Sequence, residues 1–295
     1  MELKFWNELD SKMKRVFMEM GVLVGTLLVL ILLISLVWGG SEEKKPEETQ
    51  APAETSTAPI ETTVPKDTSP EGIMEAYIAE HGLTKESYSA DMLEVYQYFP
   101  EAREFILGIP LEAGRDSKAD ISGVDRTNGV PLFIQFDDRW GYKMYGDSVL
   151  GMSGCGPTCL SMVAYYLTGD TAYTPAYMAD FAVKNGYRAE SGSTWSLFSE
   201  GPSLLGLESK EVPLHEGSIA KYVKKGIPVV ASVGPGDFTL HGHFLVITGY
   251  QDEKFTINDP FSVENSNTLW SYEKIEGQIK NLWAIYQPEE TQQEG

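Results

Sequence analysis

The sequence predicts an α+β fold, and three observations carry that expectation. Helical signals come first along the folded part and strand signals follow, the order expected of segregated helices and sheet. Apolar residues make up 42% of the 295 residues and charged residues 22%, a balance able to bury a core. Pro and Gly punctuate the pattern where elements should start and stop. Ahead of this region the sequence predicts one transmembrane helix and a disordered stalk.

The transmembrane expectation rests on Met20–Trp38, an uncharged run rich in Leu, Val and Ile. A helix of this length comes close to the roughly 30 Å of a bilayer's hydrocarbon core. Lys4, Lys12, Lys14 and Arg15 precede it, whereas Lys44 and Lys45 follow among glutamates. Basic flanks favour the cytoplasm, so residues 1–19 are expected inside and everything after residue 38 outside. A cleaved signal peptide is the competing reading, but its apolar region would be shorter and would end at a small-x-small site. Residues 41–70 hold five prolines and many Thr and Glu, with almost nothing to bury, and read as a linker. Residues 288–295 read as a polar tail.

Residues 71–118 are expected to form a helical brace. Ile73, Tyr77 and Ile78, then Met92, Leu93, Val95 and Tyr96, then Phe105, Ile106 and Leu107 recur at helical spacing. Pro100 suits the start of the last of these helices. Residues 119–287 form the main domain. Leu132–Phe136 is a short apolar run. Gly156–Leu167 is a helix ending near Gly169, and Thr174 caps another that opens at Pro175. A third starts near Thr194 and Trp195, and Ser218–Lys225 is a fourth, stopped by Gly226. Strands are expected at Pro228–Val233, Phe244–Tyr250, Lys254–Ile257 and Leu282–Tyr286, from their β-branched and aromatic residues.

Composition also excludes. With 43 acidic and 23 basic residues the net charge is −20, so a nucleic-acid partner is not expected. Two cysteines, Cys155 and Cys159, exclude a disulfide-dense scaffold, and with four His they are too few for a thiolate zinc cluster. No metal or cofactor is expected.

Four positions carry candidate chemistry. Cys155 lies between Gly154 and Gly156, just ahead of a helix opened by Pro157. A helix N-terminus favours a thiolate, and flanking glycines leave the sulfur approachable. Cys159, one turn on, reads as a small buried hydrophobe. His243 begins a strand, where an imidazole can be held rigidly as a base, with His241 the alternative on the same strand face. Asp259 follows the next strand in Asn258-Asp259-Pro260, 16 residues beyond His243, a separation suiting a hairpin. It can orient the ring, or simply make a turn. Gln135 ends the apolar run, and its amide beside a helix-terminal N–H suits an oxyanion hole. Trp140 and Trp195 are expected in the core or along the cleft. Asp137, Asp138 and Asp147 read as a solvated acidic loop that would suit a basic substrate. A Cys155–Cys159 disulfide is sterically allowed but poorly aimed.

The order Gln, Cys, His, Asp resembles the C39-like peptidases of the papain-like cysteine peptidase superfamily. The matching stretches are MLEVYQYFPEAREFILG, VPLFIQFDDRWG, GCGPTCLSMVAYYLTG, GSTWSLF and GHFLVITGYQDEKFTINDP, spread over residues 88–287. The resemblance implies a papain-like fold, with the nucleophile helix packed on an antiparallel sheet. It also implies Cys155 as nucleophile, His243 as base, Asp259 as orienter and Gln135 as oxyanion donor. Some relatives remove leader peptides inside exporter ATPases, but this sequence contains no G-x-x-x-x-G-K-[ST] loop, so that role is not expected. The expectation is a membrane-anchored, extracytoplasmic cysteine peptidase acting on a peptide or protein. Its alternatives are a peptidoglycan amidase or endopeptidase acting on cell-wall peptide, and a non-catalytic peptide-binding module.

Overall fold

The computed structural model describes residues 67–288. The segments expected at 1–19 and 20–38, most of the linker 41–70 and nearly all of the tail lie outside them. Among the described residues no helix is long and apolar enough to cross a membrane.

Three helices open the described chain, α1 (Pro70–His81), α2 (Ala90–Tyr98) and α3 (Arg103–Glu112). Two short ribbon strands follow, β1 (Met144–Tyr145) and β2 (Ser148–Val149). Then come α4 (Leu150–Ser153), α5 (Cys155–Thr168), α6 (Pro175–Lys184), β3 (Arg188–Ala189), β4 (Gly192–Ser193) and α7 (Ser196–Ser199). The main sheet and its helices complete the chain: β5 (Glu208–Glu211), α8 (Glu216–Val223), β6 (Val229–Val233), β7 (His243–Gln251), β8 (Lys254–Asn258), α9 (Val263–Ser266), β9 (Trp270–Ser271), α10 (Tyr272–Ile275) and β10 (Ile279–Tyr286).

The six-stranded sheet runs β5-β10-β6-β7-β8-β9 and is antiparallel throughout. Successive side chains on a strand point to opposite faces, and both faces here are covered. Val230, Phe244, Val246, Trp283 and Ile285 join the core around α5 and α6. Val229, Ala231, Leu245, Ile247, Leu282 and Ala284 join a second core with Ile219, Ala220 and Val223 of α8. Double coverage explains why β6 is buried at all five positions and reads as a continuous apolar run rather than an alternating one. Edge strand β5, with the sequence ESKE, is mostly exposed and carries no apolar alternation. A charged edge discourages pairing with other chains, and it is also why β5 gives no strand signal in the sequence.

Helix α5 is buried from Gly156 through Tyr165, as its all-round apolar sequence requires. Pro157 sits in its first turn, where no amide donor is needed. Gly169 closes it at φ 73°, a left-handed cap, with its N–H donated to Tyr165 O at 2.8 Å. Thr174 caps α6 by accepting from Tyr177 N. The Leu132–Phe136 run joins no strand. Its backbone is held instead by single bonds, Gln135 N to Pro260 O at 2.8 Å and Trp140 Nε1 to Ile134 O at 2.9 Å. The helix expected near Thr194 is one turn long and begins at Ser196.

Helices α1–α3 share a core with the rest of this unit. Met74, Tyr96, Phe105, Ile106 and Ile109 pack with Tyr142 and Val149. Phe105 packs against Gly151, where a Cβ would run into its ring.

Candidate active site

Cys155 is the first residue of α5, with Gly154 in the cap position. It is partly exposed, whereas Cys159 is fully buried, and both are free thiols. Burial pushes the Cys159 thiol well above its ordinary value. Gly156 lets the helix start lie against β4, because a Cβ there would come within 2.7 Å of Ser193 Cβ.

His243 opens β7 and is 8% exposed. The β7–β8 hairpin turns at Asp252 and Glu253, both at positive φ, the geometry of a two-residue hairpin loop. Its register pairs Val246 with Asn258. That brings Asp259, fully buried just past β8, back beside His243. The His243 Nε2 to Asp259 Oδ1 distance is 2.7 Å. The carboxylate has two further donors, Phe261 N at 2.8 Å on Oδ1 and Asn265 Nδ2 at 2.8 Å on Oδ2. With Nε2 engaged, Nδ1 is the ring nitrogen left for Cys155. Burial alone would lower the His243 pKa. The Asp259 charge and hydrogen bond, with the neighbouring Cys155 after them, outweigh it and raise the value to about 10.

Gln135 is 2% exposed. Its Nε2 donates one N–H to Gly151 O at 2.8 Å, and the amide has a second N–H to offer. Its Oε1 and the Ser153 hydroxyl are buried without a hydrogen-bond partner. Gln135, Ser153, Cys155 and His243 all line one cleft of about 750 Å³. Its lining also includes Met92, Val95 and Phe99 of the N-terminal helical segment.

The structure therefore brings all four candidate residues to one place. The other candidates take different roles. His241 lines the same cleft, but its side chain is 82% exposed and lies 3.6 Å from Glu94 while the bond to Asp259 is made by His243, so it does not replace His243. Trp140 is core. Trp195 is half exposed and donates to Ser232 Oγ beside a second, smaller cavity away from Cys155. The acidic loop is solvated as expected at Asp138 and Asp147, whose side chains are 80% and 79% exposed, and Asp137, Asp138 and Asp147 are each paired with an arginine, Arg139, Arg115 and Arg188. Among the described residues no group of three His, Cys, Asp or Glu is placed to hold a metal ion. Asn265 and Phe261 go unnoticed in the sequence, where nothing marks them out from ordinary loop residues.

A sequence model of the Peptidase_C39 like family matches residues 127–291, more than half of the chain. The chain belongs to this family. Two solved structures illustrate the likeness. The peptidase domain of ComA from Streptococcus, described as a bi-functional ABC transporter involved in a quorum sensing pathway, is 22% identical. That match covers 53% of this chain and 98% of that one, with a TM-score of 0.39. A putative C39-like peptidase from Bacillus anthracis is 20% identical, covering 59% of this chain and 99% of that one, with a TM-score of 0.37. No curated protein matches the chain. Membership of this C39-like family, with its mixed helix and antiparallel-sheet fold, suggests a peptidase hydrolase.

Proposed function

We propose that this protein is a cysteine peptidase in which Cys155 is the nucleophile, His243 the proton carrier, Asp259 the group that orients it and Gln135 an oxyanion donor. The observation that carries the reading is the buried His243 ring. One nitrogen lies 2.7 Å from Asp259 and the other is left for Cys155, at the open end of a helix and in a cleft large enough for a peptide segment.

In this reading the Cys155 thiolate, beside the His243 imidazolium, attacks the scissile acyl carbon and forms a C–S bond. Charge moves to the carbonyl oxygen, where the free N–H of Gln135 and the Cys155 backbone N–H stabilise it. Collapse breaks the C–N bond, and the amine leaves with the proton held by His243. Water, deprotonated by His243, then hydrolyses the thioester and restores the thiol. Asp259 keeps the ring in register throughout.

The basic-flanked apolar run at 20–38 further supports anchoring to a membrane with the cleft on the extracytoplasmic side. Protease added outside sealed right-side-out vesicles tests that placement and should digest the 67–288 region of the intact chain; protection of that region until the vesicles are permeabilised would refute it. For the chemistry, the full-length chain should cleave members of a mixed peptide library. Cys155→Ala and His243→Ala should each lower turnover by at least about 10³-fold. Full turnover by Cys155→Ala would end the cysteine-peptidase reading.

A further inference from the structure

The N-terminal helices reach the candidate site by a second route besides the cleft wall. Glu101, in the short turn between α2 and α3, extends its carboxylate to the segment that follows Asp259. It accepts from Ser262 Oγ at 2.6 Å, Val263 N at 2.8 Å and Glu264 N at 3.3 Å. These amides open α9, a helix of four residues. So short a helix leaves its first N–H groups without intrahelical partners, and Glu101 supplies acceptors for two of them. Ser262 Oγ takes a third, from Asn265 N at 3.1 Å.

The segment so held is the one that holds Asp259. Asn265 Nδ2 and Phe261 N both donate to its carboxylate, and Ser266 Oγ accepts Asp259 N at 2.9 Å. Aromatic packing follows the same path. Phe261 sits edge-on to Phe99, Phe136 and His243, with ring centroids 5.2, 5.3 and 6.5 Å apart. Phe99 belongs to the helical segment, Phe136 follows Gln135, and His243 is the ring to be placed. Glu101 lies before residue 127, where the family match begins.

We propose that Glu101 is a positioning residue that sets the Asp259–His243 pair by pinning the 261–265 turn, which makes the N-terminal helical segment part of the reaction machinery and not only a support. The proposal rests on the cysteine-peptidase reading. Without Glu101 the turn loses three acceptor contacts at once. Asn265 and Phe261 then no longer converge on the carboxylate, and His243 is held less firmly beside Cys155.

The test needs no substrate. The alkylation rate of Cys155 by iodoacetamide is followed by mass spectrometry in the full-length chain from pH 5 to 10. Wild type is compared with Glu101→Ala, Glu101→Gln, Asn265→Ala and, as a control, Arg103→Ala. Arg103 bonds to Tyr96 O and Gln97 O within the helical segment and does not touch the turn. The expected result is fast alkylation of wild type at pH 6, a rate about tenfold lower in Glu101→Ala and Asn265→Ala with the profile displaced to higher pH, partial retention in Glu101→Gln, and a wild-type profile in Arg103→Ala. A fast wild type with an unchanged Glu101→Ala profile overturns the proposal alone. Equal displacement in Glu101→Ala and Arg103→Ala also overturns it, since the effect is then general loosening. A wild-type thiol that is slow at pH 6 overturns the peptidase reading and this proposal with it. If Glu101→Ala does not fold, Glu101→Gln decides by the same readout, and a wild-type profile in it overturns the proposal.

Discussion

Replacing Asp259 with asparagine should change how the stability of this protein depends on pH. His243 is buried, and its pKa rises from 6.5 to about 10 in the folded chain. Burial acts downward and is overcome mainly by the Asp259 charge and hydrogen bond, with Cys155 contributing after them. A group whose folded value lies above its unfolded one stabilises the fold fully below the unfolded value. That contribution is lost as pH rises through the folded value. The stabilising window for His243 therefore closes between about pH 6.5 and pH 10. At roughly 1.4 kcal/mol per pH unit that span sets a ceiling of about 5 kcal/mol, in line with the roughly 3–5 kcal/mol that breaking a buried pair costs. The substituted amide would keep an acceptor for Phe261 N and for the ring, so the expected loss is smaller, about 2–3 kcal/mol at pH 6.5. The difference should shrink toward pH 9.5, where wild type has given up most of the same contribution. Urea unfolding at pH 6.5, 8 and 9.5 measures it, and tyrosine titrations cancel between the two proteins. A wild-type-minus-variant difference that stays constant over this range would refute the His243–Asp259 charge pairing.

Three further outcomes follow from particular contacts. Gln135→Ala should lower kcat by about 10²–10³-fold with a smaller change in KM, measured on any peptide the protein cleaves, if its free N–H meets the developing oxyanion. Gly156→Ala should cost about 1–3 kcal/mol in thermal or urea unfolding and reduce kcat/KM more than tenfold. The new Cβ must displace Ser193 or Leu197 and with them the start of α5; unaltered stability would show that the helix start has room. Cys159→Ala should cost about 1 kcal/mol from the lost buried sulfur and leave peptide turnover unchanged, whereas loss of turnover would mean the second thiol takes part.

The α+β order of elements, helix α5 with its Gly169 stop, the Thr174 cap and strands β6–β8 and β10 were all legible along the chain. Each rests on local rules that act within a few residues: apolar period, capping oxygens, left-handed glycine and turn chemistry. Cys155 was legible for the same reason, because a glycine-flanked cysteine before a proline-opened helix is a local pattern. The pairing of His243 with Asp259 was suggested by a 16-residue gap but decided by the hairpin register and by the turn after β8.

What no local rule could supply is everything that depends on distant segments meeting. Loop 132–136 carries no strand pairing, and its place beside the site comes from Gln135 N on Pro260 O, more than a hundred residues away in sequence. Strand β5 was hidden because its solvent-facing, charged sequence lacks the burial that creates an apolar pattern. Glu101 looks like any surface glutamate until the fold carries Ser262 and Val263 to it across 161 and 162 residues. The sequence by itself determined which groups are chemically able to react and which elements carry them. Only tertiary structure decided which of those groups touch, because burial of a shared core sets the long-range contacts and no residue bears a local mark of its distant partner.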